Sequence, residues 1–306
     1  MPRHVTAGLD GSAESAAAAE WAAGEARLRQ VALRLLLVSD DPAPSRPAAE
    51  HGGAGGGRYP GAEFLTGTAD ALRGGHPGLE VRAERLTGRP AAVLAREAAG
   101  ADVMVLGSRG LGSVRGFLLG SVATATIVRT RRPVVLVRPG HRPGQGTRGE
   151  YGDADDPEAA AAAAAAAGSV VVGVDVRETC DATLDFAFGE AALRGGRLRA
   201  VHCWSLPPFG RDALALDMAR REMRPDIARA LRNVLAPWRQ RYPSVEVAEF
   251  TPVGGVSDRL LHSAAGAALL VVGRRMRTAR AGVRLGPVAH AVIHHCAVPV
   301  AVVAHD

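Results

Sequence analysis

This chain of 306 residues contains no lysine; all 37 of its basic residues are arginine. A P-loop needs a GK[ST] tripeptide, so that class of phosphate site is excluded. Aromatic residues are scarce, at 4% of the chain. The core is therefore expected to consist of Ala, Val and Leu, and arginines without interleaved aromatics do not make a nucleic-acid platform. Cys180, Cys203 and Cys296 stand at unrelated spacings with no CxxC pair. That excludes a zinc ribbon and a disulfide framework, and reduced thiols point to a cytoplasmic protein. No apolar signal core precedes the first strand-like run, and only a poly-alanine stretch lengthens any apolar run toward membrane-spanning size. A membrane element is not expected. There is no GxSxG, no serine followed by a His/Asp relay, and no paired-carboxylate arrangement of the hydrolase kind. The formal charge of +6 permits an anionic partner without demanding one.

What the chain does have is length for two ordinary domains, a hydrophobic content of 47%, and an internal repeat. Asp10 and Asp175 each follow a strand-like run and lie 165 residues apart, as do Val38 and Cys203 in the expected second strands. Gly88 and Gly254, Gly107 and Gly273, Gly120 and Gly286, and Pro133 and Pro299 are each separated by 166 residues. Six landmarks held in register to within one residue mark a duplication.

Each copy reads as alternating strands and helices. In the first, His4–Leu9 is a strand, Ser12–Val31 an Ala-rich helix, and Leu33–Ser39 a continuous apolar strand. Val81–Leu86 alternates, Arg89–Ala99 has helical spacing, Asp102–Leu106 is apolar, Val122–Thr130 is helical and Val134–Val137 is the last strand. This order predicts an α/β fold of two tandem doubly wound domains, each a five-stranded parallel sheet of order 3-2-1-4-5 with helices on both faces. The expected domains are 1–139 and 169–306, joined by a Gly/Pro/Ala-rich linker over 140–168. The linker ends in a short alanine helix, Ala159–Ala167, with Asp156 as its cap, Pro157 at its first position and Gly168 as its stop. Asp41–Gly61 reads as a Pro/Gly-rich surface insertion. The apolar last strands, Val134–Val137 and Val300–Val303, are sheet edges expected to pair the two domains within the chain.

The chemistry concentrates in Gly107-Ser-Arg-Gly110, nine further residues, then Gly120-Ser121. Gly107 ends an apolar strand, and Gly120-Ser121 opens a helix, with Ser121 read as its N-cap. Glycines let the backbone approach a ligand, and a helix start offers free N–H groups to an anion. In a sheet of this order the chain reverses direction between strands one and four. Asp10 and Gly107 end those two strands, so a carboxylate and a Gly-rich anion site are expected to face one crevice. A dinucleotide fingerprint does not fit, because Gly8-Leu-Asp10-Gly11-Ser12 lacks the third glycine.

With Val5-Thr-Ala-Gly-Leu-Asp10-Gly-Ser12, Leu35-Leu-Leu-Val38, Gly88-Arg-Pro-Ala-Ala-Val-Leu94 and the G-xx-G-x9-G-S loop, the sequence resembles a tandem universal stress protein. The resemblance spans nearly all of both copies apart from the insertion and the linker. It implies an ATP-binding stress-response regulator, often dimeric through the fifth strand, with an unidentified regulatory protein partner. It implies that Asp10 meets the adenine or ribose side, the Val38 backbone meets adenine, Gly107, Arg109 and Gly110 lie near ribose and phosphates, and Gly120, Ser121 and Val122 hold phosphates, with or without Mg²⁺.

The second copy departs from this pattern. Its loop is Gly273-Arg-Arg-Met276, nine residues, then Gly286-Pro287. Met276 stands for the second glycine, and Pro287 removes an N–H and a hydroxyl at the helix start. Arg274, Arg275, Arg277, Arg280 and Arg284 read as a solvated basic loop rather than a phosphate site. His290 and His294 lie four apart on an expected helix beside Cys296; that spacing suits a metal, but no third ligand is evident and a helix surface is the simpler reading. The leading expectation is ATP held by the first domain, with the second domain structural or interaction-bearing. The alternative is a slow ATPase or another adenine-nucleotide-processing enzyme on the same fold. A catalytic base or nucleophile near the loop would favour it, and none is seen.

Overall fold

The continuous apolar runs become the central strands of two sheets. The structure, a computed structural model, describes residues 3–39, 61–108, 120–140, 168–178, 180–205, 213–276 and 285–306, the side chains of 213–220 excepted. Two units result, Met1–Gly140 and His141–Asp306. In the first, β1 (His4–Leu9), β2 (Ala32–Ser39), β4 (Val103–Gly107) and β5 (Val134–Val137) are almost wholly buried. Strands covered by helices on both faces must be. β3 (Val81–Thr87) is largely exposed, as an outer strand is. All pairings are parallel and the order is β3-β2-β1-β4-β5. The connecting helices are α1 (Ala13–Arg29), α2 (Ala62–Gly75), α3 (Pro90–Ala98) and α4 (Ser121–Arg129).

The second unit repeats the plan. Its strands are β6 (Val170–Gly173), β7 (Arg197–Val201), β8 (Glu246–Phe250), β9 (Leu269–Arg275) and β10 (Val300–His305), parallel and in the order β8-β7-β6-β9-β10. Its helices are α5 (Asp181–Leu193), α6 (Ala213–Arg241), α7 (Val256–Ser263) and α8 (Pro287–His295). The doubly wound α/β fold expected from the alternation is the fold observed.

Details differ from the sequence reading. Ser12 caps α1 from outside the helix, and Gln30 closes it in the left-handed region at φ 56°, ahead of Val31. Cys203 lies beyond β7, which stops at Val201; pairing resumes only as an isolated bridge between Trp204 and Val253. Gly273 does not end its strand. β10 runs on to His305 and holds β9 in register to Arg275, whereas β5 stops at Val137 opposite Gly107. The insertion up to residue 60 and the alanine helix of the linker lie outside the described residues.

Polar ties repeat with informative substitutions. Glu25 pairs with Arg29 one turn along α1, and Glu190 with Arg194 along α5. His76 reaches Glu20 at 2.8 Å, where the second unit has the Tyr242 hydroxyl donating to Asp185 at 2.8 Å. Tyr242, Trp238 and Phe188 pack together there, at ring separations of 6.1 and 5.7 Å about Phe188, where the first unit has His76, Leu72 and Ala23. Arg34 grips Glu84 with two bonds of 2.8 and 2.6 Å and Glu97 with one of 2.7 Å. Its counterpart Arg199 lies 4.5 Å over the Phe250 ring and donates to the Ser263 carbonyl, residues that occupy the positions of those two glutamates.

The Arg34 hydrogen bond holds the Glu84 carboxyl below its ordinary range. At Glu97, burial pushes the carboxyl up, but Arg34 and Arg96 outweigh it and the net shift is down. Carboxylates depressed in the folded state add stability that is complete above the ordinary glutamate value and is lost as pH falls through the depressed values. Urea unfolding across the acid range is expected to show this decline, on the order of 1 kcal/mol for a partly exposed network. Arg34→Met should flatten that part of the curve; an unchanged acid limb would contradict the assignment.

Thr6, fully buried in β1, has a hydroxyl without a hydrogen-bond partner. The matching residue in β6 is Val171, in the same register against its neighbour. An orphaned buried hydroxyl costs about 1–3 kcal/mol. Thr6→Val is therefore expected to raise stability by about 1 kcal/mol in denaturant titration, and a loss would show that the hydroxyl is satisfied.

Candidate functional site

The β1 neighbours β2 and β4 are reached by chain running to opposite sides, so the carboxyl ends of β1 and β4 flank a switch point. A cavity of about 160 Å³ lies there. Asp10, Val38, Gly107, Gly120, Ser121 and Val122 all line it. Of the residues expected at the site, only Arg109 and Gly110 are not placed; with the rest of the loop to residue 119 they lie outside the described residues. The sequence reading missed the apolar wall, made by Leu36, Pro90, Leu94 and Leu106. It also missed Gly8, where a methyl group would sit 2.6 Å from the Leu106 side chain and 3.2 Å from that of Leu94. A glycine inside a strand was the available signal.

The turn after β1 is tightly specified. Gly11 takes a φ of 84°, which favours glycine. Asp10 Oδ1 then accepts from the Ser12 N–H at 3.0 Å and from the Ser12 hydroxyl at 2.5 Å. Ser12 Oγ in turn accepts from the Ser15 N–H at 3.1 Å, capping α1. Ser12 and Ser15 both line the cavity.

One local expectation needs correction. Ser121 is not the cap of α4. Gly120 occupies that position at φ −59° and ψ 141°, and its carbonyl receives the Thr124 N–H at 3.0 Å. The first turn therefore closes on Gly120, and the N–H groups of Ser121, Val122 and Ala123 have no intrahelical acceptor. Gly107 lines the cavity and has a packing reason for being glycine as well. A methyl group there would lie 2.6 Å from the Glu14 carbonyl carbon and 2.8 Å from the Ser15 nitrogen, so the α1 backbone requires the glycine.

The second unit lacks several of these features. Asp175 still accepts from the N–H two residues on, Arg177, at 2.9 Å. Val176 replaces Gly11 without a positive φ, and α5 starts at Asp181 with Cys180 as its cap. β9 continues through Arg274 and Arg275, and the Met276 N–H is bonded to the His305 carbonyl at 2.7 Å. Arg275 pairs with Glu178. Gly286 caps α8 and Pro287 opens it, which removes the N–H that Ser121 offers in α4.

Other candidate chemistry is weaker. The His290 and His294 rings are 4.3 Å apart, and among the described residues no three His, Cys, Asp or Glu are grouped to hold a metal. Burial, then the neighbouring His294 and His295, holds His290 below the usual histidine range. Burial pushes the Cys203 thiol up to about 11 and raises that of Cys180, which disfavours the reactive thiolate. Among the described residues, no helix is long and apolar enough to cross a membrane.

A parallel sheet of this order, with a carboxylate, an apolar wall and a helix N-terminus meeting at its switch point, defines a doubly wound α/β domain. The chain belongs to the universal stress protein family, whose profile matches residues 1–138 and again 167–304. A universal stress protein of Mycobacterium tuberculosis is 32% identical over 310 residues, covering 97% of this chain and 96% of that protein. The crystal structure of a universal stress protein from Archaeoglobus fulgidus covers 99% of this chain and 98% of its own, at 16% identity and a TM-score of 0.59. Another universal stress protein, solved in complex with cAMP, covers 45% of this chain and 98% of its own, at 22% identity and a TM-score of 0.33.

Because α1 presses its backbone on Gly107, Gly107→Ala is expected to destabilise the chain by about 1–3 kcal/mol in urea unfolding, the usual effect of overpacking. Unchanged stability would mean that α1 gives way freely.

Proposed function

We propose that the first unit binds an adenine nucleotide, ATP foremost, and that the chain is a cytoplasmic stress-response regulator whose second unit is structural or interaction-bearing. One observation carries this reading: Asp10, an apolar wall and the free N–H groups of α4 line a single cavity. The wall of Leu36, Pro90, Leu94 and Leu106 suits a base, with the Val38 backbone at its edge. Asp10 suits a donor on adenine or ribose. Ser121 and Val122 suit phosphate oxygens, and Arg109 and Gly110 are assigned to the same phosphates. At about 160 Å³ the cavity is below the ~300–1,000 Å³ of most ligand pockets, so it seats part of a nucleotide rather than the whole. Mg²⁺ is commonly held by one or two carboxylates together with substrate phosphates, and Asp10 is the carboxylate lining this cavity.

Backbone donors that hold ground-state phosphates give affinity without selective stabilisation of a transition state. Binding with slow turnover is therefore the expectation. Calorimetric titration with ATP should give one nucleotide per chain, and Gly120→Val should abolish it in a chain that still folds. Hydrolysis with Mg²⁺ should fall far below the enzyme median of about 10 per second. Two equivalent sites per chain would overturn the asymmetry between the units. Turnover near the median, lost in Asp10→Ala, would establish the enzyme reading instead.

A further inference from the structure

We propose that Ser12 is a positioning residue of this site, its hydroxyl clamping the Asp10 carboxylate in the orientation that a ligand's donor group meets. The inference rests on the nucleotide reading above. A carboxylate only accepts hydrogen bonds, so in the 2.5 Å contact the proton is that of the Ser12 hydroxyl. The same oxygen accepts from the Ser15 N–H at 3.1 Å. One hydroxyl thus spends its hydrogen on the carboxylate and a lone pair on the helix. Capping α1 would need only the second of these bonds. With the Ser12 N–H adding a third bond at 3.0 Å, Oδ1 of Asp10 is fixed from two directions, and the plane of the carboxylate is set relative to the cavity it lines.

The second unit shows the same duties separated. Asp175 keeps the backbone bond, from Arg177, but the residue at the Ser12 position carries no hydroxyl. The helix cap moves to Cys180, whose sulfur accepts from the Thr183 N–H at 3.4 Å. The acidic residue and the cap both survive there, while the bond between them does not. It is absent in the unit whose phosphate loop has lost Ser121's counterpart to Pro287.

ATP titration of the full chain and of Ser12→Ala, Ser12→Gly and Ser12→Thr, with the unfolding midpoint of each ligand-free protein, tests this. Loss of a hydrogen bond that orients a charged group should weaken ATP binding by about tenfold in both the Ala and Gly variants. Thr should bind within about twofold of the natural chain. The unfolding midpoint should fall more for Ala than for Gly, since glycine is a nearly adequate cap. In an Asp10→Ala background, which removes the acceptor of both Ser12 bonds, Ser12→Gly should cause no further loss of affinity. The proposal is overturned if Ser12→Gly binds ATP like the natural chain, if Thr does not rescue, or if the Ser12 effect persists in the Asp10→Ala background. A natural chain that takes up no ATP overturns the nucleotide reading itself, and this inference with it.

Discussion

The close seating of α1 on its sheet is the constraint from which the first unit's site follows. Ala18, Ala19, Ala22, Ala23 and Ala26 are buried along this helix, and small side chains let it approach the strands. At its first turn the helix sets its backbone against Gly107. That contact fixes where α1 begins, and the beginning of α1 fixes Ser12, whose two hydrogen bonds to Asp10 aim the carboxylate.

The fold was legible because its signals are local. A fully buried parallel strand must be a continuous apolar run, and Val103–Gly107 and Val134–Val137 could hardly be anything else once the repeat was seen. The ends of elements were less legible. Gly120 and Ser121 are adjacent, and composition does not say which carbonyl starts the helix; the Thr124 bond to Gly120 does. The contacts that span the chain were not legible at all. Arg34 finds Glu84 and Glu97 at separations of 50 and 63 residues, and no periodicity announces such a meeting. For the same reason Leu36, Pro90, Leu94 and Leu106 read as ordinary core or helix residues, although their placement at strand and helix ends makes them a wall.

The two copies diverge in ways that packing explains separately from the site. Where the first unit ties its second helix with His76 and Glu20, the second uses Tyr242 and Asp185 and fills the space with Trp238 and Phe188. Where the first satisfies a half-buried arginine with two carboxylates, the second offers an aromatic face and a carbonyl. These exchanges keep the architecture. The changes at the mouth are of another kind: an extended β9, a longer turn before α5 and a proline at the start of α8 each alter backbone beside the carboxyl ends of the central strands.

Gly107 illustrates how poorly a motif glycine can report on its supposed task. Its bare α-carbon answers to a helix behind the sheet, and Gly273 keeps the same identity in the unit whose loop has changed, with Thr183 and His305 crowding the space a methyl would take. Such a glycine will outlive the binding activity it is taken to signify. As a diagnostic of competence among duplicated domains, the strand-end glycine therefore over-counts. The residue that opens the following helix, serine in one copy and proline in the other, is the better witness, because the exchange removes a backbone N–H at the first helical position.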